Sequence, residues 1–63
     1  MTADELRAWA DRQGLTFDTA AATLGVGRRT YARWASGEVD ISRIVALACA
    51  AVEAGLPPLG KSK

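Results

Sequence analysis

The sequence contains no histidine and a single cysteine, Cys49. An internal disulfide is therefore impossible, and the cysteine and histidine ligand sets typical of zinc sites are missing. The lack of histidine also removes the commonest general base. No carboxylate pair and no complete glycine-rich phosphate loop stands in the context that catalysis requires. We therefore expect a protein that is not an enzyme and that needs no metal or other cofactor.

Long hydrophobic runs are also missing. The longest, Ile44 to Val52, is far shorter than the about 20 apolar residues that span a membrane. The first residues include Asp4 and Glu5 and do not resemble a signal peptide. With 49% hydrophobic and 24% charged residues among 63, the composition is that of one small globular domain. We expect a cytoplasmic protein without a membrane partner.

Caps and glycines divide the chain into four predicted helices. Thr2 with Glu5 forms a capping box, and Thr16 and Asp40 are candidate caps further on. Glycines and the Pro57-Pro58 pair mark the helix ends. The predicted helices are Ala3–Gln13, Phe17–Leu24, 28–35 and 41–54. The expected fold class is all-α, a compact bundle of about four helices with no fifth helix.

Periodic apolar residues predict which helix faces are buried. Spacings of three and four residues are typical of a helix face that packs on a core. The predicted face of the first helix contains Leu6, Trp9, Ala10 and Gln13, and that of the fourth contains Ile41, Ile44, Val45, Ala48 and Val52. Cys49 lies in the same apolar run and is expected to be a core residue. We expect Val26 to be buried between the second and third helices.

The fourth helix carries a second apolar strip that a small monomer cannot easily cover. The strip contains Leu47, Ala50, Ala51 and Ala54, and Leu56 follows it. A helix that is apolar over most of its girth needs two partners, so these residues are the candidate homodimer interface. The alternative is that the alanines are present only because alanine favours helices.

The third predicted helix has two unlike faces. At about 100° per residue, Thr30, Tyr31 and Trp34 gather on one side and Arg28, Arg29, Ala32 and Arg33 on the other. No acidic residue occurs between Leu24 and Gly37, so the positive charge is not compensated in sequence. An ordinary solvated face is one interpretation, although acidic partners four residues away are missing. The other is a helix that reads DNA, with the small Ala32 allowing close approach.

A short helix, a turn that begins with glycine and a second short helix form a helix-turn-helix pattern. The pattern, from about Leu6 to Val52, resembles the DNA-binding domains of the lambda repressor and Cro family, also called XRE-type. The residues that carry the resemblance are Leu15-Thr16, Ala21, Leu24-Gly25-Val26, residues 28–34 and Ser36-Gly37-Glu38. The chain departs from the family pattern at three positions. The family often has Gln in place of Phe17, Ser or Thr in place of Gly27, and Glu in place of Ala35.

The resemblance implies a role for each matching position. It nominates Arg28, Arg29 and Arg33 for base contacts in the major groove, where arginine can donate two hydrogen bonds to guanine. For the phosphate backbone it nominates Thr16, Phe17, Gly27, Thr30 and Arg43, because a helix N-terminus binds anions. Tyr31 and Trp34 are expected in the core.

These expectations define a function and an alternative. The first is a sequence-specific transcriptional regulator, typically a small repressor that acts on an inverted repeat of double-stranded DNA as a homodimer, with no small-molecule effector. Residues 1–56 would form its DNA-binding domain and residues 57–63 a tail that is mobile from Gly60 onward. The alternative is a protein-interaction module or antitoxin-type partner with the same helices and little specific DNA binding.

Overall fold

Four α-helices make up the fold. The computed structural model describes residues 1–60, and within that range there is no strand and no fifth helix. The helices are α1 Ala3–Gln13, α2 Phe17–Leu24, α3 Arg28–Ser36 and α4 Arg43–Glu53. The described chain measures 32 × 22 × 20 Å. The expectation of an all-α bundle of about four helices is therefore confirmed, while residues 61–63 of the expected tail lie outside the described residues.

Side-chain caps fix where α1 and α2 begin. The Thr2 hydroxyl accepts the Glu5 N–H at 3.1 Å, and the Glu5 carboxylate accepts the Thr2 N–H at 2.7 Å. This is the predicted capping box. Thr16 and Thr19 form the equivalent reciprocal pair at the start of α2. Because caps act locally, their residues could be identified from sequence alone.

The start of α4 differs from the prediction. We expected a cap at Asp40 and a helix from about Ile41, but Ser42 is the cap and its side chain accepts the Val45 N–H at 3.4 Å. Asp40 lies in the connection before the helix and is exposed. Aspartate and serine are both good caps. Ser42 stands directly before α4, where its side-chain oxygen reaches the N–H of the third helical residue.

The core is built around two large aromatic side chains. Trp9 and Tyr31 are each 1% exposed, and they pack with Leu6 and with Cys49. The expectation that Cys49 is a core residue is confirmed, and burial raises the pKa of its thiol. Small residues complete the core and let the helices approach closely: Ala10, Ala20, Ala21 and Ala35. Val26 is only half-buried, although it packs against this core as expected.

Helix α3 is held from two sides. It packs against α2 across the turn and against α1. Arg7 of α1 adds a polar contact, because its guanidinium donates a hydrogen bond to the Ala35 carbonyl. Helix α4 is tied to α1 by Arg12, which donates to Glu53 at 2.9 and 3.0 Å. The position of α3 is thus fixed by its contacts with α1 and α2.

One predicted core residue lies on the surface. Ile44 is 77% exposed, whereas Ile41, Val45 and Val52 pack against the core as expected. Helix α4 begins two residues later than predicted, and Ile44 is only its second residue. None of the four helices in residues 1–60 is long and apolar enough to cross a membrane.

Candidate nucleic-acid interface

Helix α3 separates a buried face from an arginine face. Tyr31 and Ala35 are 1% and 2% exposed, and Trp34 is half-buried against the core. The three arginines are exposed: Arg28, Arg29 and Arg33. The term arginine face refers below to these three residues. Burial raises the pKa of the Tyr31 phenol, so this side chain is neutral at physiological pH.

Thr30 lies on a different side of α3 than we expected, and Ala35, which we had assigned to neither side, is buried. Thr30 was expected beside Tyr31 on the packing side, but it is exposed. Ala35 is buried in its place. At 100° per residue, Ala35 is nearer in angle to Tyr31 than Thr30 is. The helical angles alone therefore place Ala35 on the buried face. The exposure of Thr30 keeps its hydroxyl accessible for the phosphate contact that we predicted.

The turn 25–27 connects α2 to α3. Gly25 has φ 74° and ends α2, since its left-handed conformation suits glycine. Gly27 has an extended backbone and begins α3. Within residues 1–60 no side chain caps the first N–H groups of α3. These groups carry the positive end of the helix dipole, and they lie next to Arg28 and Arg29.

Two arginines of the arginine face lie near carboxylates, contrary to the charge pattern in the sequence. Arg28 Nε lies 2.6 Å from Asp18 Oδ1, which belongs to α2. Arg33 Nε lies 3.9 Å from Glu38 Oε2, just after α3. Arg29 is in no ion pair within the described chain. All four paired side chains are at least 46% exposed, so each pair is worth about 0–1 kcal/mol and is readily exchanged for another anion.

Phe17 links the arginine face to the core. Its ring meets the Tyr31 ring edge to face, with centroids 5.3 Å apart and planes at 80°. The Arg28 guanidinium carbon lies 5.9 Å from the Phe17 centroid, within the range of a cation–π contact. This cluster was not predicted from the sequence, because its three residues belong to two different helices. The Phe17 side chain is 42% exposed but has no hydrogen-bond donor, so a phosphate contact at this residue would fall to its backbone N–H.

The other residues predicted to contact the DNA backbone differ in whether their polar groups already have a hydrogen-bond partner within the protein. The Thr16 hydroxyl accepts the Thr19 N–H at 3.2 Å and lies 3.0 Å from the Thr19 hydroxyl. It therefore already serves as a cap. Arg43 is the first residue of α4 and is exposed. Both residues stand at the start of a helix, where a phosphate is favoured.

The predicted dimer interface is an exposed apolar surface on α4 and the segment after it. Leu47 is 59% and Leu56 62% exposed. Ala50 and Ala54 are exposed as well, while Ala51 is half-buried. Ile44 and Leu59 extend this surface with 77% and 102% exposure. We refer to Ile44, Leu47, Ala50, Ala54, Leu56 and Leu59 as the apolar surface.

Within residues 1–60, no cluster of three or more His, Cys, Asp or Glu side chains is placed to hold a metal ion. The two surfaces of the described chain that could bind a partner are the arginine face of α3 and the apolar surface on α4. No family model matches the chain, and neither a curated protein nor a solved structure matches it.

Proposed function

We propose that this protein is a sequence-specific DNA-binding transcriptional regulator of the lambda repressor and Cro type. The observation that carries the proposal is the division of α3. Its Tyr31 and Ala35 side is buried while all three arginines are exposed. A short helix fixed by its neighbours and covered with arginine has the shape and charge that suit the major groove.

The arginine face would read bases. Arginine donates two parallel hydrogen bonds to O6 and N7 of guanine, the commonest specific contact in the major groove. Arg29 is in no ion pair within the described range, so it can bind a base without first releasing a carboxylate. Arg33 has a carboxylate at 3.9 Å, which is a weak restraint in water.

Helix N-termini would position the protein on the phosphates. The N–H groups at the start of α2 follow Thr16, and those at the start of α3 follow Gly27. Thr30 and Arg43 add an exposed hydroxyl and an exposed guanidinium. Contacts of this kind set the register of a protein on the duplex but carry no sequence information. Specificity would therefore depend on the arginine face.

A homodimer formed through the apolar surface would bind an inverted repeat. Half-sites bound by such dimers lie about 34 Å apart, one turn of DNA. The described chain measures 32 × 22 × 20 Å, so two copies joined end to end along the longest axis would be spaced by about this distance. Such a dimer, acting in the cytoplasm and without an effector, would repress a promoter, including its own, by covering it.

Selection from a random duplex pool at near-physiological salt tests the proposal. The purified protein should enrich an inverted repeat with half-sites about one helical turn apart. Substituting Arg28, Arg29 or Arg33 by Ala should each cost about 1–3 kcal/mol on that duplex and relax the preference at one position. Arg12→Ala is the matched control, because it removes an exposed arginine from α1. Unchanged binding in all three variants of the arginine face would refute the assignment.

A protein-interaction module, including an antitoxin-type partner, is the second candidate. The apolar surface favours it, since Leu47, Leu56 and Leu59 are all more than half exposed and exposed apolar patches often mark interfaces. In that case the duplex pool would yield no enriched sequence, and residual DNA binding would disappear as salt rises. The arginine variants would then weaken binding to every sequence equally.

A further inference from the structure

Arg28 differs from the other members of the arginine face because its guanidinium is held at two places. Its Nε lies 2.6 Å from Asp18 Oδ1, and its guanidinium carbon lies 5.9 Å from the centroid of Phe17. Arg33 has only the carboxylate at 3.9 Å. Both partners of Arg28 belong to the first turn of α2, so α2 contacts this side chain of α3 at two points.

The nitrogen that Asp18 uses determines what Arg28 can still bind. A guanidinium has five N–H donors, one on Nε and four on the two terminal nitrogens. The contact with Asp18 is made by Nε. Reading guanine requires two donors side by side for O6 and N7. The two terminal nitrogens of Arg28 can provide them while Nε remains on Asp18.

Phe17 connects this arrangement to the core. Its ring packs edge to face on Tyr31 at 5.3 Å, and Tyr31 is 1% exposed. Asp18 and Arg28 are themselves 75% and 67% exposed, so their ion pair adds little to folding stability. Its principal effect is on the orientation of the guanidinium.

We propose that Asp18 is a positioning residue that increases discrimination between DNA sequences through Arg28. The inference rests on the proposed function, in which Arg28 contacts a base. A side chain that is already ordered loses less conformational entropy on binding its base. A carboxylate near the duplex repels phosphates regardless of sequence. The repulsion weakens binding to every sequence alike, whereas the ordering of Arg28 helps only at the base that it reads, so Asp18 raises the ratio of specific to non-specific affinity.

Two substitutions at Asp18 separate positioning from charge. The readout is the ratio of the dissociation constants for a scrambled duplex and for the selected duplex at fixed salt. Asp18→Ala removes the charge and the oxygen, and we expect the ratio to fall about two- to fivefold while non-specific affinity rises. Asp18→Asn removes the charge but keeps an oxygen at the same position beside the guanidinium. Its ratio should stay closer to that of the unmodified protein.

Glu53→Gln is the matched control. It neutralises a carboxylate that contacts an arginine Nε at 2.9 Å, but that arginine is Arg12 of α1. The ratio should not change. If both Asp18 variants keep the original ratio while both affinities rise together, Asp18 acts through charge alone and the inference is wrong. A higher ratio in Asp18→Ala would also overturn it, because the ion pair would then withhold Arg28 from the base.

The proposed function can fail separately. If the unmodified protein prefers no duplex, the regulator proposal is refuted and the role of Asp18 is refuted with it. If it selects a sequence and the ratio does not respond to Asp18→Ala, only the positioning role is refuted.

Discussion

The indole N–H of Trp9 donates a hydrogen bond to the backbone carbonyl of Cys49 at 2.9 Å. Both residues are 1% exposed, so the bond joins α1 to α4 inside the core. A buried polar group that loses its partner is costly. The geometry of the bundle thus depends on one directed contact as well as on apolar packing.

Replacing Trp9 by Phe should destabilise the protein by about 2–4 kcal/mol, because it removes this donor and leaves a cavity. That is a large share of the total stability expected for a domain of this size. Trp34→Phe is the control, since Trp34 is only half-buried, and it should cost clearly less. Urea unfolding followed by circular dichroism measures both. Equal losses in the two variants would mean that the hydrogen bond contributes nothing specific.

Arg43→Ala should weaken DNA binding by a similar factor on every sequence. Arg43 is exposed at the start of α4, where we propose that it contacts phosphate. The slope of log affinity against log salt should fall by about one. Titrations at several salt concentrations on the selected and the scrambled duplex measure this slope. A change confined to the selected duplex would instead assign Arg43 to base recognition.

Leu47→Ser should shift the protein from dimer to monomer without unfolding it. Leu47 is 59% exposed, so its burial in a dimer would be worth about 1–2 kcal/mol per chain, while the monomer loses little. Val39→Ser is the control, because Val39 is 43% exposed and lies outside α4. Analytical ultracentrifugation distinguishes the two states. A monomeric unmodified protein would refute the predicted dimer.

The Arg12–Glu53 ion pair should make stability depend on pH on the acid side. Its hydrogen bond lowers the pKa of Glu53 below the ordinary 4.5. A carboxylate with a lowered pKa in the folded state stabilises above its unfolded pKa, and this contribution is lost as pH falls through the folded value. Glu53→Gln should therefore reduce the urea midpoint at pH 7 and have no effect well below pH 4.5. A deficit that persists in acid would assign the effect to packing.

The local features of this fold could be predicted because their signals lie within a few residues. The reciprocal cap of Thr2 and Glu5 and the glycines that end α1, α2 and α3 are of this kind. The buried positions of Trp9 and Tyr31 followed from periodicity, and that of Cys49 from its place in an apolar run. Each of these predictions used residues of one helix only.

Contacts between helices could not be predicted in the same way. The sequence around Arg28 contains no acid, yet Asp18 reaches it from α2 across the turn. In α4, apolar residues occupy most of the circumference, so periodicity placed both Ile44 and Val45 on the buried face, although only Val45 packs against the core and Ile44 is exposed. Such outcomes depend on how neighbouring helices are rotated, and single-helix patterns do not contain that information.

The reactivity of the buried Cys49 thiol reports on opening of the core. It is the only cysteine in the chain, and it is 1% exposed with a raised pKa. The thiolate is the nucleophile that attacks an alkylating reagent, so labelling must wait until an opening of the core exposes Cys49. The rate of labelling therefore measures how often the core opens, and a ligand that binds only the folded form will slow it in proportion to its occupancy.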